Sequence, residues 1–295
     1  MASSETPQMQ TPKSKVTGSG RISGVALLVA SAFFMEFLDG TVIATALPDM
    51  ANAFGVSAID LNIGISAYLL TLAMLIPASG WVAERFGART VFSLALLIFT
   101  VASLCCGLTQ NVTGFVLMRV LQGVGGAMMV PVGRLVVLRT TPKDQLIKAI
   151  ATLTWPALVA PIIGPPLGGF ITTYASWHWI FFLNVPLGLV AIVLALKLMP
   201  GLSADEKRPF DVIGFIATGL TMLCLVAGLE MFSQQPVSMV SAGATLTVGV
   251  LALVWSIRHL RRAPAPLIGL SSLSVHSFRV TMRGGFIRSE ERRVG

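Results

Sequence analysis

Apolar residues fall in eight long blocks along this chain, separated by short polar stretches. The blocks cover roughly residues 24–48, 61–83, 91–109, 112–133, 149–173, 179–199, 211–232 and 239–257. A segment of about 20 mostly apolar residues is enough to cross a bilayer. Inside lipid a lone segment must satisfy its own backbone hydrogen bonds, so each block is predicted as a helix. The predicted fold is an all-α polytopic membrane protein. Residues 1–21 are polar, with Pro, Ser and Gly, and read as a short disordered tail. The apolar run after Arg21 is too long for a signal-peptide core, so it is expected to remain as a span.

The connections between blocks predict an orientation. Lys13, Lys15 and Arg21 precede the first block, and Arg85 and Arg89 follow the second. Arg134, Arg139, Lys143 and Lys148 lie between the fourth and fifth. Lys197, Lys207 and Arg208 join the sixth to the seventh, and the rest of the loop cations follow from Arg258 onward. Connections 49–60, 110–111, 174–178 and 233–238 have no Lys or Arg. Positive residues stay on the cytoplasmic side. Both termini are therefore expected in the cytoplasm of a cell whose inner (plasma) membrane holds the chain. Most of these cations need no role beyond topology.

Composition agrees with the pattern. The chain is 54% hydrophobic and 12% charged, with mean hydropathy +0.80, against about 25% charged residues in soluble domains. A net charge of +8 and a pI near 10.0 would suit nucleic acid, but the cations sit on alternate loops, so no nucleic-acid partner is expected. Cys105, Cys106 and Cys224 fall inside predicted spans and offer neither a disulfide framework nor metal spacing. No cofactor and no metal is expected, and no GxxxxGK[ST] loop, triad or zinc pattern supports an enzyme.

One residue resists the apolar pattern. Arg119 lies well inside the fourth block, where a charge costs at least roughly 2.5–3.5 kcal/mol on insertion scales. It must face a protein interior or a wet cavity, with a partner at its own depth. Asp39 and Glu36 in the first block are the candidates. Taking the first block to end near Pro48 and the fourth to begin near Val112, Asp39 and Arg119 lie roughly 13 and 10 Å from the same side. Glu36 precedes Asp39 by three residues and shares its face. Two carboxylates near one arginine can change protonation with what else is bound. A static ion pair between two helices is the plainer alternative. Glu230, near the end of its block, is expected to be interfacial and solvated.

The fifth block contains Ala160-Pro161-Ile162-Ile163-Gly164-Pro165-Pro166-Leu167-Gly168-Gly169. Ala160, Gly164 and Gly168 form a small-residue face that allows close helix approach. The prolines are expected to bend the helix. The short connection Gly80–Thr90 places Glu84 beside Arg85 and Arg89, where they can form ion pairs, while Gly80 and Gly87 permit close approach or positive φ.

Together these stretches resemble the major facilitator superfamily. Gly80, Ala83, Arg85, Gly87 and Arg89 match its signature between the second and third helices, with Glu84 in place of the usual Asp and Ala88 in place of an Arg. Arg119 with Gln122 and Gly123 resembles the fourth-helix signature of proton-coupled members. Pro161, Gly164, Pro165, Gly168 and Gly169 resemble the antiporter motif of the fifth helix. Leu38-Asp39-Gly40-Thr41 resembles the fourteen-helix drug:proton antiporter family. The same is true of the run Trp177–Gly188, with Trp177, Trp179, Phe181, Asn184, Pro186 and Gly188.

The resemblance implies an N-terminal six-helix bundle over 22–199, an extra helix pair over 200–260, and a segment 261–295 leading to a ninth helix that does not follow. The end, Arg288–Gly295, reads as artefactual. The implied function is proton-driven efflux of amphipathic or cationic small molecules. Glu36, Asp39, Arg119 and Gln122 would couple proton and substrate, the 80–89 stretch would gate the cytoplasmic side, and the fifth-helix motif would limit leak. The partners implied are the substrate, protons and lipid; a periplasmic adaptor is left open. With the second bundle missing, the intramembrane charges are expected to face lipid or a half-open groove. The alternatives are a fragment that inserts without transporting, a carrier for another small molecule, or a channel or receptor-like protein.

Overall fold

The computed structural model describes residues 19–201, 209–232 and 238–267. The expectations for the extreme N-terminus, for Lys207 and Arg208, for the 233–237 connection and for the segment from 268 onward lie outside these residues. Among the described residues the chain is helical, with no strand. Eight helices are long and apolar enough to cross a membrane, one for each apolar block. They are α1 (Ser19–Phe54), α2 (Ala58–Phe86), α3 (Ala88–Leu108), α4 (Val112–Thr140), α5 (Lys143–Tyr174), α6 (His178–Leu198), α7 (Val212–Met231) and α8 (Met239–Arg262).

Several helices outrun the apolar blocks that announce them. Helix α1 begins at Ser19, within the expected tail, and continues through Pro48 to Phe54. Helix α4 continues to Thr140. Hydropathy marks only the greasy part of a helix, while the ends are set by local chemistry. Asn111 starts α4 by accepting a 2.7 Å hydrogen bond from the Gly114 N–H, and Asp211 starts α7 by accepting from the Gly214 N–H at 2.8 Å. Such caps satisfy donors that the first helical turn leaves free. Gly87, at φ +86°, separates α2 from α3. Most residues avoid that conformation and glycine does not.

Helix α1 is central: it packs on α5, α4 and α6. Helix α4 packs on α3, α2 and α1, and α3 also packs on α6. Helices α7 and α8 pack on each other, and α7 attaches the pair to α2. Two apolar clusters fill the first six helices. One includes Val29, Phe92, Phe99, Met129 and Val136. The other includes Ile43, Met50, Leu61, Phe115 and Phe181. On α1 the first cluster ends at Met35 and the second begins at Leu38. The polar site lies at this junction.

Candidate functional site: a buried polar network between α1, α4 and α6

The site starts from the glycines of α4. A Cβ on Gly123 would stand 2.8 Å from the Thr71 Cβ and 3.0 Å from the Tyr68 carbonyl oxygen. On Gly125 it would stand 2.8 Å from the Ala95 carbonyl oxygen and from the Phe99 nitrogen. Real Cβ atoms do not pack so closely, so these glycines let α4 lie directly on α2 and α3. That approach brings the Tyr68 ring over the Arg119 guanidinium, with 4.2 Å between centroid and Cζ. The quadrupole of the ring attracts a cation placed there.

The other side of Arg119 meets α1. Its Nη1 donates to Asp39 Oδ2 at 2.7 Å and to Gln122 Oε1 at 2.6 Å. Gln122 sits three residues on, on the same face of α4, and its Nε2 donates to Asp39 Oδ1 at 3.0 Å. Asn184, from α6, donates to the same Oδ1 at 2.9 Å and to Ser103 Oγ at 3.0 Å. Ser103 then donates to the Phe181 carbonyl at 3.1 Å. Arg119, Gln122 and Ser103 are 0% exposed, Asn184 1% and Asp39 2%. Arg119 and Asp39 therefore face neither lipid nor an open groove, contrary to expectation, whereas Glu36 is half-buried. Residues of α1, α2, α3, α4 and α6 enclose the pair, because glycines on α4 and α6 let these helices approach closely.

Glu36 differs from its expected place. Arg119 is taken by Asp39, and no ion pair to Glu36 is present among the described residues. One turn back along α1 the neighbour on α4 is Gly126, not Arg119. A Cβ on Gly126 would lie 3.2 Å from the Tyr68 hydroxyl and 3.5 Å from the Glu36 Cδ. Glu36 is half-buried, and its Oε2 and the Tyr68 hydroxyl are buried without hydrogen-bond partners.

The 80–89 stretch is mostly helix rather than loop. Gly80 to Phe86 continue α2, and a Cβ on Gly80 would meet nothing within 4 Å. Glu84 reaches Arg139 of α4 at 3.4 Å instead of Arg85 or Arg89. Arg85 is exposed, and Arg89 donates to the Leu196 carbonyl of α6. In α5 the residues from Leu146 to Tyr174 form one uninterrupted helix despite their prolines. Pro161 and Pro165 lie on its exposed side, as does Pro166. Its buried side carries Ala160, Gly164 and Gly168. A Cβ on Gly164 would lie 2.2 Å from Thr41 Oγ1, and one on Gly168 would lie 2.0 Å from Thr45 Oγ1. A Cβ on Gly169 would be unobstructed.

Residues 29–280 match the sequence model of the Major Facilitator Superfamily. The chain belongs to that superfamily. Two curated relatives are proteins named multidrug resistance protein MdtD. That of Citrobacter koseri is 41% identical over 259 residues, and that of Escherichia coli O139:H28 is 40% identical over the same length. Each alignment takes in 88% of this chain and 55% of the relative. The chain thus spans about half the length of the curated relatives it matches. Among solved structures, the crystal structure of the POT family transporter PepTSo superposes with a TM-score of 0.55 at 14% identity. It covers 81% of this chain and 52% of that one. The likeness is one of fold.

Within this facilitator fold the α6 run divides by role. Trp177 is buried against Phe54, with centroids 5.4 Å apart, and Phe181 against Phe115 at 5.9 Å. Trp179 and Pro186 are exposed. Gly188 admits α3, since a Cβ there would stand 1.9 Å from Thr100 Oγ1. Asn184 belongs to the polar network rather than to a mere signature. A lone amide in an apolar run is the signal that could have revealed it. Ser103 and Tyr68 gave no such signal, because single hydroxyls are common in membrane helices.

Proposed function

We propose that the protein to which these helices belong is a proton-coupled exporter of amphipathic or cationic small molecules. It works by antiport in the inner (plasma) membrane, with both termini cytoplasmic. The observation that carries this reading is the fully buried Asp39–Arg119 pair at 2.7 Å, closed by Gln122 and Asn184. Intramembrane charges are expensive, and where they occur they mark ion or substrate pathways. The multidrug resistance name borne by the relatives supports the same reading.

In this mechanism substrate binds between the two halves of a facilitator near the bilayer midplane, and the halves rock around it. The Asp39–Arg119 network joins α1, α4 and α6 into one moving body. The Glu84–Arg139 pair and the Arg89–Leu196 contact tie α2 to α4 and α3 to α6 at the basic, cytoplasmic face. The Gly164–Gly168 seam against Thr41 and Thr45 closes α5 onto α1 and limits leak.

The test is proton-driven dye export by the full-length protein in vesicles. Arg119→Ala is expected to abolish export. Arg119→Lys is expected to impair it, because the compact, strongly hydrated ammonium replaces the planar guanidinium that lies under the Tyr68 ring. Undiminished export by the alanine variant would reduce Arg119 to a structural residue.

A further inference from the structure

We propose that Glu36, and not Asp39, is the carboxyl that binds and releases the transported proton, while Asp39 stays ionised as the standing counter-charge of Arg119. The assignment rests on the proton-coupled reading above.

Asp39 is the poorer of the two sites for a proton. Its Oδ2 accepts from Arg119 and its Oδ1 accepts from both Gln122 and Asn184. A guanidinium and two amide N–H groups are donors only. Three of the about four lone-pair positions of Asp39 are taken, and a proton on the remaining one, at Oδ2, would sit beside the Arg119 guanidinium. Gln122 Oε1, an acceptor in the same network, already takes Arg119 at 2.6 Å. Protonation would also leave a wholly buried guanidinium without an anion, the costly half of a broken pair. A proton on Asp39 would weaken the network that joins α1, α3, α4 and α6.

Glu36 has the opposite surroundings. No cation pairs with it among the described residues, and its Oε2 faces inward without a donor. The Tyr68 hydroxyl, also unpartnered, converges with it on Gly126, whose missing side chain leaves the space between them. A phenol serves both forms of a carboxyl: it accepts from the acid and donates to the carboxylate. Glu36 is also half-buried whereas Asp39 is 2% exposed, so of the two Glu36 is the less enclosed.

The other ionisable groups around it make no ion pair with it among the described residues. Arg119 of α4 pairs with Asp39 through Nη1, while its Nε and Nη2 are buried without hydrogen-bond partners; Cys106 of α3 lies on Gln122 at 3.9 Å. Helices α5 and α6 carry ionisable residues only toward their ends. The exchange balances simply. One proton on Glu36 makes a neutral acid; its departure leaves one negative charge that a substrate cation can pair with. Proton and cation then exclude each other one for one.

The 295-residue chain in lipid nanodiscs allows a direct test by infrared difference spectroscopy while pH is stepped. With carboxyl-13C glutamate the band of the protonated, buried carboxyl is expected to shift; with carboxyl-13C aspartate it is expected to stay. This comparison needs no substitution. Glu36→Gln should remove the band with helix content and melting unchanged, Glu36→Asp should restore a band, and Tyr68→Phe should move it. A band that follows the aspartate label, a band that survives Glu36→Gln, or no titrating band at all would overturn the assignment. If the band behaves as expected but the full-length protein drives no proton-coupled export, the transport reading falls and Glu36 remains the exchanging carboxyl.

Discussion

Replacing Arg119 with methionine keeps much of the side-chain volume and removes the charge. Both partners of the ion pair have 0% side-chain exposure, so Asp39 would be left buried and ionised. Removing one partner of a buried pair costs roughly 3–5 kcal/mol. At about 1.4 kcal/mol per tenfold, that lowers the folded-to-unfolded ratio by roughly 100- to 4,000-fold. The lower end is expected here, because Gln122 and Asn184 still donate to Asp39, and hydrogen bonds to charged groups contribute about 1.5–3 kcal/mol each. The double change Asp39→Leu with Arg119→Met removes both charges. It should recover part of the loss, but not all, since the Gln122 amide is then stranded at about 1–3 kcal/mol. Equilibrium unfolding in mixed micelles, read by tryptophan fluorescence, measures the cycle. If Arg119→Met lies within about 1 kcal/mol of the parent, the range of an exposed pair, the burial argument fails.

Gly168→Ala places a Cβ 2.9 Å from the Val42 carbonyl oxygen, fixed backbone, and should cost about 1–3 kcal/mol by overpacking. Gly169→Ala meets open space and should be neutral or stabilising by up to about 1 kcal/mol; equal melting shifts for the two would refute the seam. Cysteines at Gly55 and Ala175 should label from outside and those at Gly87 and Lys143 only from inside; outside labelling at 143 overturns the orientation. Asp211 is pushed up by burial, but hydrogen bonds from the Gly214 N–H, from His259 at 2.8 Å and from the Leu267 N–H hold it below its ordinary value of 3.8. Its contribution to stability is therefore present above that value and lost as pH falls through the depressed one. Asp211→Asn should flatten the acid limb of the melting curve, and an unchanged limb would show that the contact between α7 and α8 contributes nothing.

Eight apolar blocks were enough to predict eight helices, because lipid leaves a spanning segment no other way to satisfy its backbone. Arg119 announced itself for a related reason: a charge in an apolar run must have a partner. Depth counted along two helices was enough to bring Asp39 and Glu36 forward as the partners of Arg119, since the rise per residue is constant. The match of Gly164 and Gly168 to a close approach was also legible, although not which helix they would meet.

What the chain alone left open depends on how helices rotate and lean against one another. Periodicity puts Glu36 and Asp39 on one face of α1, yet only the register of α1 against α4 gives Arg119 to Asp39 and Gly126 to Glu36. Glu84 could have paired within its own turn, but α4 brings Arg139 to it. Asn184 is 145 residues from Asp39 in sequence and 2.9 Å away in space. Local rules fix helices, caps and the need for partners, because those depend on a few neighbouring residues. The choice among partners is made when glycine seams on α4, α5 and α6 let whole helices close, and that is a property of the packed bundle.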